Sequence, residues 1–432
     1  MVQKVCGSVI IIAMVLAVFP LQAAGLSLSL MEGFSLLARK QIFQAHHLQI
    51  QGAQEGVLQE KSAYYPQLRL EASTSWTRQI RKQTSLDPEL PEPFTSLGDS
   101  LFNSDAQSTA QQGALKLTQM LFDNGITDYQ IQLAQISVGL EQIQADAELH
   151  HLKSQFIDMY FDWFKLKNTI EIQKKQLKLS QKEYAEIARL YVPNSAGHIV
   201  AREKELAMDR AAYALARSES ELVALRGQIQ VLLEIPTSQH ISLKAPDPGQ
   251  VPKVTILEKK DVVPLVKKFK TEALAAQVRS KLASSLSQYR IDLDGLATMD
   301  SYGSTATYGA FVLRWALLDG GKIDRQRQAF AYAEKAAEVS AQVAAKNTEE
   351  RVQEDLQMLF LKRRELDFLK KEQDIAGLKL AHARAQLQKK LLLPIDVEKA
   401  QFQMDVATLA IQNVVLDMQK QEAFMALKLC RI

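Results

Sequence analysis

The chain has 432 residues, 47% of them apolar and 23% charged, with 18 Gly and 12 Pro, a composition that suits long helices better than disorder or an all-β fold. Its formal charge is only +3, with Lys and Arg interleaved among Asp and Glu along helical stretches, which excludes the strong basic patch of a nucleic-acid binder. Of two cysteines, Cys6 lies in an N-terminal apolar run and Cys430 stands alone near the other end, so neither a disulfide framework nor a zinc spacing is present.

Residues 1–24 read as a signal peptide: Lys4, an apolar run over 5–19, the breaker Pro20, and small Ala23 and Ala24 before Gly25. The run is shorter than the roughly 20 residues a helix needs to cross a bilayer, and a membrane anchor is the rival reading. No later stretch of about 18 consecutive apolar residues follows. An exported chain of this kind is periplasmic, secreted, or in an outer membrane as a β-barrel.

Helical periodicity over 28–62, within a segment 25–65, gives a first half-length helix. A β-hairpin with a long loop follows over 66–122. From 67 to 77 Leu68, Leu70, Ala72 and Trp76 share one face, and Arg69 and Glu71 the other. The loop, about 79–110, carries Pro88, Pro91 and Pro93. The return strand, about 113–121, alternates Leu115 and Leu117 with Lys116 and Thr118. A long helical hairpin occupies 123–233, with its turn at 192–197 marked by Pro193, Asn194 and Gly197. Its outbound arm amounts to roughly 100 Å of helix and its return arm to about half of that. Phe156, Tyr160, Trp163 and Phe164 recur at three- and four-residue steps, a stripe that reads as core.

An irregular Pro-rich segment, 234–254, carries Pro236, Pro246, Pro248 and Pro252 and is the candidate equatorial belt. A second half-length helix (255–286) and a second β-hairpin (287–318) follow. In that hairpin Tyr289, Ile291 and Leu293 alternate with Arg290, Asp292 and Asp294, and Phe311, Leu313 and Trp315 with Val312 and Arg314. The chain closes with a second long helical hairpin, 319–432, turning at 389–394. Stacked end to end, the half-length and return helices match the long ones, giving a rod about 100 Å long with hairpins at one end and helical turns at the other.

The chain is thus one design written twice. LTQMLFDNGITDYQ at 117–130 matches LRWALLDGGKIDRQ at 313–326 under a single offset, pairing Asp123 with Asp319, Gly125 with Gly321 and Asp128 with Asp324. Strands of this length suit tilted passage through a bilayer, one face to lipid and one to a wet lumen. Two small soluble sheets capping a helical protein are the alternative. Four strands cannot close a spanning barrel, whose smallest forms have about eight, so several chains must share one.

The turns Leu121–Gly125 and Leu317–Gly321, the Tyr65-Pro66-Gln67-Leu68 opening of the first strand and the stretch from Tyr308-Gly309 to Trp315 resemble those of TolC-like outer-membrane efflux proteins. The resemblance covers nearly the whole chain after residue 24. It implies a mostly α fold with a small β part: a homotrimer whose long helical hairpins form an α-barrel of 12 helices, and whose four strands per chain build a shared 12-stranded transmembrane β-barrel. It further implies an outer-membrane location extending into the periplasm, contact with outer-membrane lipid, and service as the exit channel of a tripartite efflux or type I secretion system. Its partners would be a periplasmic adaptor (membrane fusion) protein and an inner-membrane pump.

The strand-to-helix turns carry Asp123, Gly125, Asp319, Gly320 and Gly321, and the tips expected to dock the adaptor carry Pro193, Asn194, Ser195, Gly197, Leu391, Leu392 and Pro394. The resemblance assigns the periplasmic entrance to Asp396, with Lys389, Lys390 and Lys399 around it; ordinary helix-end charge is the other reading of these four. The chain departs from the family pattern in having Ser287 where a proline opens the strand, Lys390 and Leu391 near a tip glycine, Ala201 and Arg202 near a tip Asp-Val, and Lys399 in place of a second acid.

Catalytic, cofactor and metal sites are not expected. The pairs His46-His47 and His150-His151 are adjacent on helices and point about 100° apart. Gly320-Gly321-Lys322 lacks the upstream glycine and the Ser/Thr of a phosphate loop. A poreless periplasmic coiled-coil adaptor or scaffold is the alternative function, but it would place β segments at both ends of one hairpin. Here β-hairpins fall between helices, twice.

Overall fold

The computed structural model describes residues 26–77, 108–190, 197–246, 264–286, 288–300, 305–315 and 319–428. The expected signal peptide, most of the first hairpin's loop, the tip at 191–196 and Cys430 lie outside these residues.

The chain divides into two compact units, and each takes segments from both halves. One is built from 42–147 and 259–349, the other from 1–41, 148–258 and 350–432. The first unit holds the sheet. Strands β2 (Gln67–Thr77), β3 (Ser108–Phe122), β5 (Arg290–Asp300) and β6 (Thr305–Arg314) pair antiparallel in the order β2-β3-β5-β6. Neighbours in register include Leu70 with Leu115, Leu115 with Ala297, and Ile291 with Leu313. β3 begins at Ser108, so the last residues of the expected loop are strand. Only β2 and β6 have a free edge within this sheet.

Two strands absent from the sequence reading lie in the second unit. β1 (Leu26–Leu28) pairs parallel with β4 (Ile241–Leu243), and its ends are fixed by Leu26 N–H to His240 O at 2.9 Å and Lys244 N–H to Leu28 O at 2.8 Å. The segment 234–254, expected to be irregular, therefore contains a strand. The helix expected over 28–62 is likewise two: α1 (Leu30–Leu37) and α2 (Gln41–Lys61), separated by a turn at 38–40. Ser29 caps α1 in a reciprocal box with Glu32, which supplies the start signal of an independent helix.

The long helices are α3 (Ile126–Leu190) and α6 (Lys322–Gln388), of 65 and 67 residues. Neither contains proline, and both are rich in Ala, Leu, Gln, Glu and Lys, the residues that lose least on entering a helix. Shorter partners follow each: α4 (Gly197–Leu232) and α7 (Pro394–Lys428). α5 (Pro264–Ser285) leads into β5. α5 and α7 open with proline, which loses nothing at a first helical position.

The best-packed region surrounds β1 and β4. Phe156, Ile157, Tyr160 and Phe161 of α3 are fully buried there, with Leu37 and Ile229. Of the stripe read as core, Phe156, Tyr160 and Trp163 are buried and Phe164 is half-buried. Phe34 meets Phe156 edge-on at 6.1 Å between ring centres, and Tyr160 stacks similarly on Phe161 and Phe164 at 5.3 Å. The buried Tyr160 hydroxyl donates to the Lys244 carbonyl at 2.7 Å, and the Lys244 ammonium donates to Glu32 at 2.9 Å, so the loop after β4 is tied to both α1 and α3. By contrast α2 has no buried residue, with Leu48 and Leu58 left exposed.

Candidate channel surface and helix ends

Alternation along the four strands gives the sheet two unlike faces. Leu68, Leu70, Leu115, Leu293, Met299, Phe311 and Leu313 share one. Most of them are exposed, Leu70 at 78% and Phe311 at 76% of their full area. So much bare apolar surface on one face requires an apolar surrounding. The other face carries Arg69, Glu71, Lys116, Asp292, Asp294 and Arg314 around a hollow of about 360 Å³ lined by Glu71, Ser73, Lys116, Asp294, Thr298 and Tyr308. That face suits water and hydrated solutes.

A charge cluster absent from the sequence reading closes the helix-proximal end of the polar face. Asp292 is fully buried yet bonded to Arg290 at 2.8 Å and to Arg314, which also reaches Asp294 at 3.4 Å. The signal was present in part, because Arg290, Asp292 and Asp294 alternate in sequence. Arg314 arrives through the pairing of β5 with β6, which places it opposite Arg290.

The two strand-to-helix turns have one geometry. Asn124 and Gly125 have φ of 54° and 78°, and Gly320 and Gly321 of 64° and 77°, so each turn needs two consecutive left-handed residues. Glycine or asparagine meets that need at least cost. Each preceding aspartate then caps the helix: Asp123 accepts from Gly125 N–H at 3.0 Å and Thr127 N–H at 2.6 Å, and Asp319 from Gly321 at 2.9 Å and Ile323 at 2.7 Å. The N–H groups of Ile323 and Gly321 hold the Asp319 carboxyl below the ordinary carboxylate range. The Asn124 side chain donates across to the Tyr289 carbonyl, joining the first turn to the start of the second hairpin.

At the second tip the described residues form a tight helix-to-helix turn. Lys390 takes φ of 60°, and Leu391 N–H reaches back to Gln386 O at 2.9 Å, a left-handed helix stop made by a residue other than glycine. Lys389 shares that turn, and Leu391 and Leu393 are exposed. Leu392 is half-buried, and Pro394 opens α7. Asp396 accepts a bond from Leu393 N–H at 3.2 Å, so it caps α7, and it lies 4.0 Å from Lys399. Lys399 is drawn instead to Glu183 of α3 at 3.0 Å, which also accepts from Lys204 of α4 at 2.7 Å. Burial pushes the Glu183 carboxyl up, but the two ammoniums outweigh it and hold it below its ordinary range. Lys182 pairs with Glu398 one step away, at 2.5 Å. Glu183 joins partners 21 and 216 residues away, a juxtaposition no local pattern could announce. Of the first tip, Gly197 is the first residue of α4, while Pro193, Asn194 and Ser195 lie outside the described residues.

Among the described residues no helix is long and apolar enough to cross a membrane, and no group of three or more His, Cys, Asp or Glu could hold a metal ion.

Residues 35–232 match the family model for outer membrane efflux proteins. No curated sequence matches the chain significantly. Among solved structures, the fold is similar to that of CusC, described as undergoing transmembrane channel formation, with a TM-score of 0.75 at 14% identity over 94% of this chain and 92% of that one. It is equally similar to the CmeC outer membrane channel of Campylobacter jejuni, with a TM-score of 0.75 at 11% identity over 92% and 85% of the two chains. For the outer membrane protein VceC of Vibrio cholerae the TM-score is 0.70, at 12% identity over 93% and 95%.

Proposed function

Because residues 35–232 match the outer membrane efflux protein family model, we propose that the chain is the exit channel of a tripartite efflux or type I secretion system, a passive conduit assembled from three copies. The observation that carries this reading is the two-faced sheet. Four strands expose an apolar face and a polar face and leave the edges of β2 and β6 free, and three such sheets supply the 12 strands of a closed barrel with lipid outside and water within. Closure removes every free edge, which a membrane requires. A poreless adaptor gives no use for the bare apolar face.

In this reading the helix ends meet the rest of the machine. Pro193, Asn194, Ser195 and Gly197 of one tip, and Leu391, Leu392 and Pro394 of the other, dock a periplasmic adaptor that links the channel to an inner-membrane pump. Asp396, Lys389, Lys390 and Lys399 surround the periplasmic entrance, each repeated three times about one axis, where rings of charge sort ions. Asp396 serves such a gate by stiffening the α7 start, since its carboxylate already holds Leu393 N–H.

Fractionation and conductance test the reading together. The expected result is a heat-modifiable oligomer in outer-membrane detergent extracts, three chains by native mass spectrometry, and stable conductance in planar bilayers. A soluble single chain in the periplasmic fraction would overturn it.

A further inference from the structure

Charge on the polar face of the sheet is balanced at one level and unbalanced at the next. At the helix-proximal end Arg290 and Arg314 are answered by Asp292 and Asp294: Arg290 meets Asp292 at 2.8 Å, and Arg314 meets Asp292 and, at 3.4 Å, Asp294. Two cations and two anions cancel there. Farther along the strands Arg69 of β2 and Lys116 of β3 stand directly opposite each other, both exposed. Among the described residues neither has an ion pair or a side-chain hydrogen bond, and Glu71, two positions beyond Arg69 on the same face, is bonded to neither of them.

Like charges directly opposite on paired strands destabilise a sheet. An acid at either position would make a cross-strand ion pair, and an uncharged residue would remove the repulsion, so the fold gains nothing from Arg69 facing Lys116. A place where a sequence breaks a local rule that its neighbours keep is where function is expected. We infer, resting on the channel reading above, that Arg69 and Lys116 form a cationic collar inside the barrel that favours negatively charged solutes in passage. Three copies repeat the pair as a ring of guanidiniums and a ring of ammoniums. The two rings differ in height by no more than the strand spacing, about 5 Å.

The width of such a barrel lets the collar act across the whole lumen. Twelve strands about 4.8 Å apart and tilted near 45° enclose a ring about 26 Å across, and long side chains reaching about 6 Å inward bring their charges to about 7 Å from the axis. The Debye length is about 10 Å at 0.1 M salt, so the fields of the collar overlap on the axis, and about 3 Å at 1 M, where they do not. Glu71 opposes the collar with one acid per copy against two cations, which leaves an excess of one positive charge per copy. Asp300 ends β5 four positions beyond Leu296, the residue level with Lys116, or about 9 Å farther along the barrel and about a Debye length away. The remaining excess, in water and at 0.1 M salt, suffices for a preference of about threefold or more for a monovalent anion over a monovalent cation.

Arg69→Gln with Lys116→Gln tests the collar without weakening the sheet, because it removes a repulsion. In planar bilayers at 0.1 M KCl the ratio of chloride to potassium permeability should fall by about threefold or more relative to the parent, and the difference should fade at 1 M KCl. Arg69→Lys, which keeps the charge, should leave the ratio where it is, and Glu71→Gln should move it toward chloride. Heat-modifiable migration shows which variants assemble; should the double variant fail to, Lys116→Gln alone is expected to give about half of its shift. An unchanged ratio in an assembled, conducting variant whose parent also conducts would overturn the collar and leave the channel reading standing. A parent that stays a single chain and conducts nothing would overturn both.

Discussion

Leu70→Arg and Arg69→Leu, adjacent substitutions on opposite faces of one strand, separate a membrane barrel from a soluble sheet. β2 spans Gln67–Thr77 with Ala72 at its middle, so Leu70 is two residues from centre. A strand tilted near 45° climbs about 2.3 Å per residue, which puts Leu70 about 5 Å from the middle of an apolar band about 25 Å tall. Arginine there should cost about 2 kcal/mol per chain, somewhat below the midplane maximum, or roughly a 30-fold shift in folding equilibrium. Leu313, one residue from the end of β6, is farther from the middle, and Leu313→Arg should cost about 0–1 kcal/mol despite an exposure of 62%. Arg69→Leu should cost less than about 0.5 kcal/mol, because Arg69 sits directly opposite Lys116 and its loss relieves like-charge repulsion. Folding into lipid vesicles, followed by urea midpoint and by heat-modifiable migration, reads all three. Equal losses from Leu70→Arg and Arg69→Leu would refute the assignment of lipid and lumen faces.

Gly33→Ala should destabilise the protein by about 1–3 kcal/mol, because the added Cβ would stand 2.1 Å from the Phe156 ring; an unchanged thermal midpoint would show that the ring can yield. Lys390→Gly should stabilise by about 1 kcal/mol by relieving a φ of 60°, read as a higher denaturation midpoint. Bonds from Ser29 and Lys244 hold Glu32 at about 2 against an ordinary 4.5, so its contribution is complete above pH 4.5 and is lost as pH falls toward 2. Glu32→Gln should therefore flatten the acid limb of a stability profile, and an unaltered limb would remove Glu32 from it. Asp396→Ala should raise resting conductance in a planar bilayer and shift ion preference toward anions; unchanged conductance and preference would leave Asp396 as a helix cap alone.

The sheet and the long helices were legible because each rests on a pattern carried by many residues. β2 was readable from 67 to 77 through alternation, and α3 and α6 through the absence of proline over more than 60 residues each. β1 and β4 were not, since Leu-Ser-Leu and Ile-Ser-Leu are too short to show a period and their pairing joins distant segments. The break between α1 and α2 falls at Ala38, Arg39 and Lys40, with no glycine or proline to announce it. Of the candidate sites, the Asp-x-Gly turns announced their conformation, because only certain residues accept two left-handed dihedrals in succession. Lys390 gave no such notice. The Asp292 and Glu183 clusters depend on which strands and helices become neighbours, information that no single segment holds.

The pairing of β1 with β4 also bears on the order in which the chain can fold. Residues 26–37 leave the ribosome early, yet their partners Phe156, Ile241 and Lys244 follow more than a hundred residues later. Contacts of such wide sequence separation pay their loop-closure entropy before anything rewards it, so they form late and slowly. Through that interval Leu30, Phe34 and Leu37, all buried in the finished fold, stay uncovered. The earliest-made part of this unit is therefore among the last to settle, and during transit it is the segment with most to gain from a chaperone's protection.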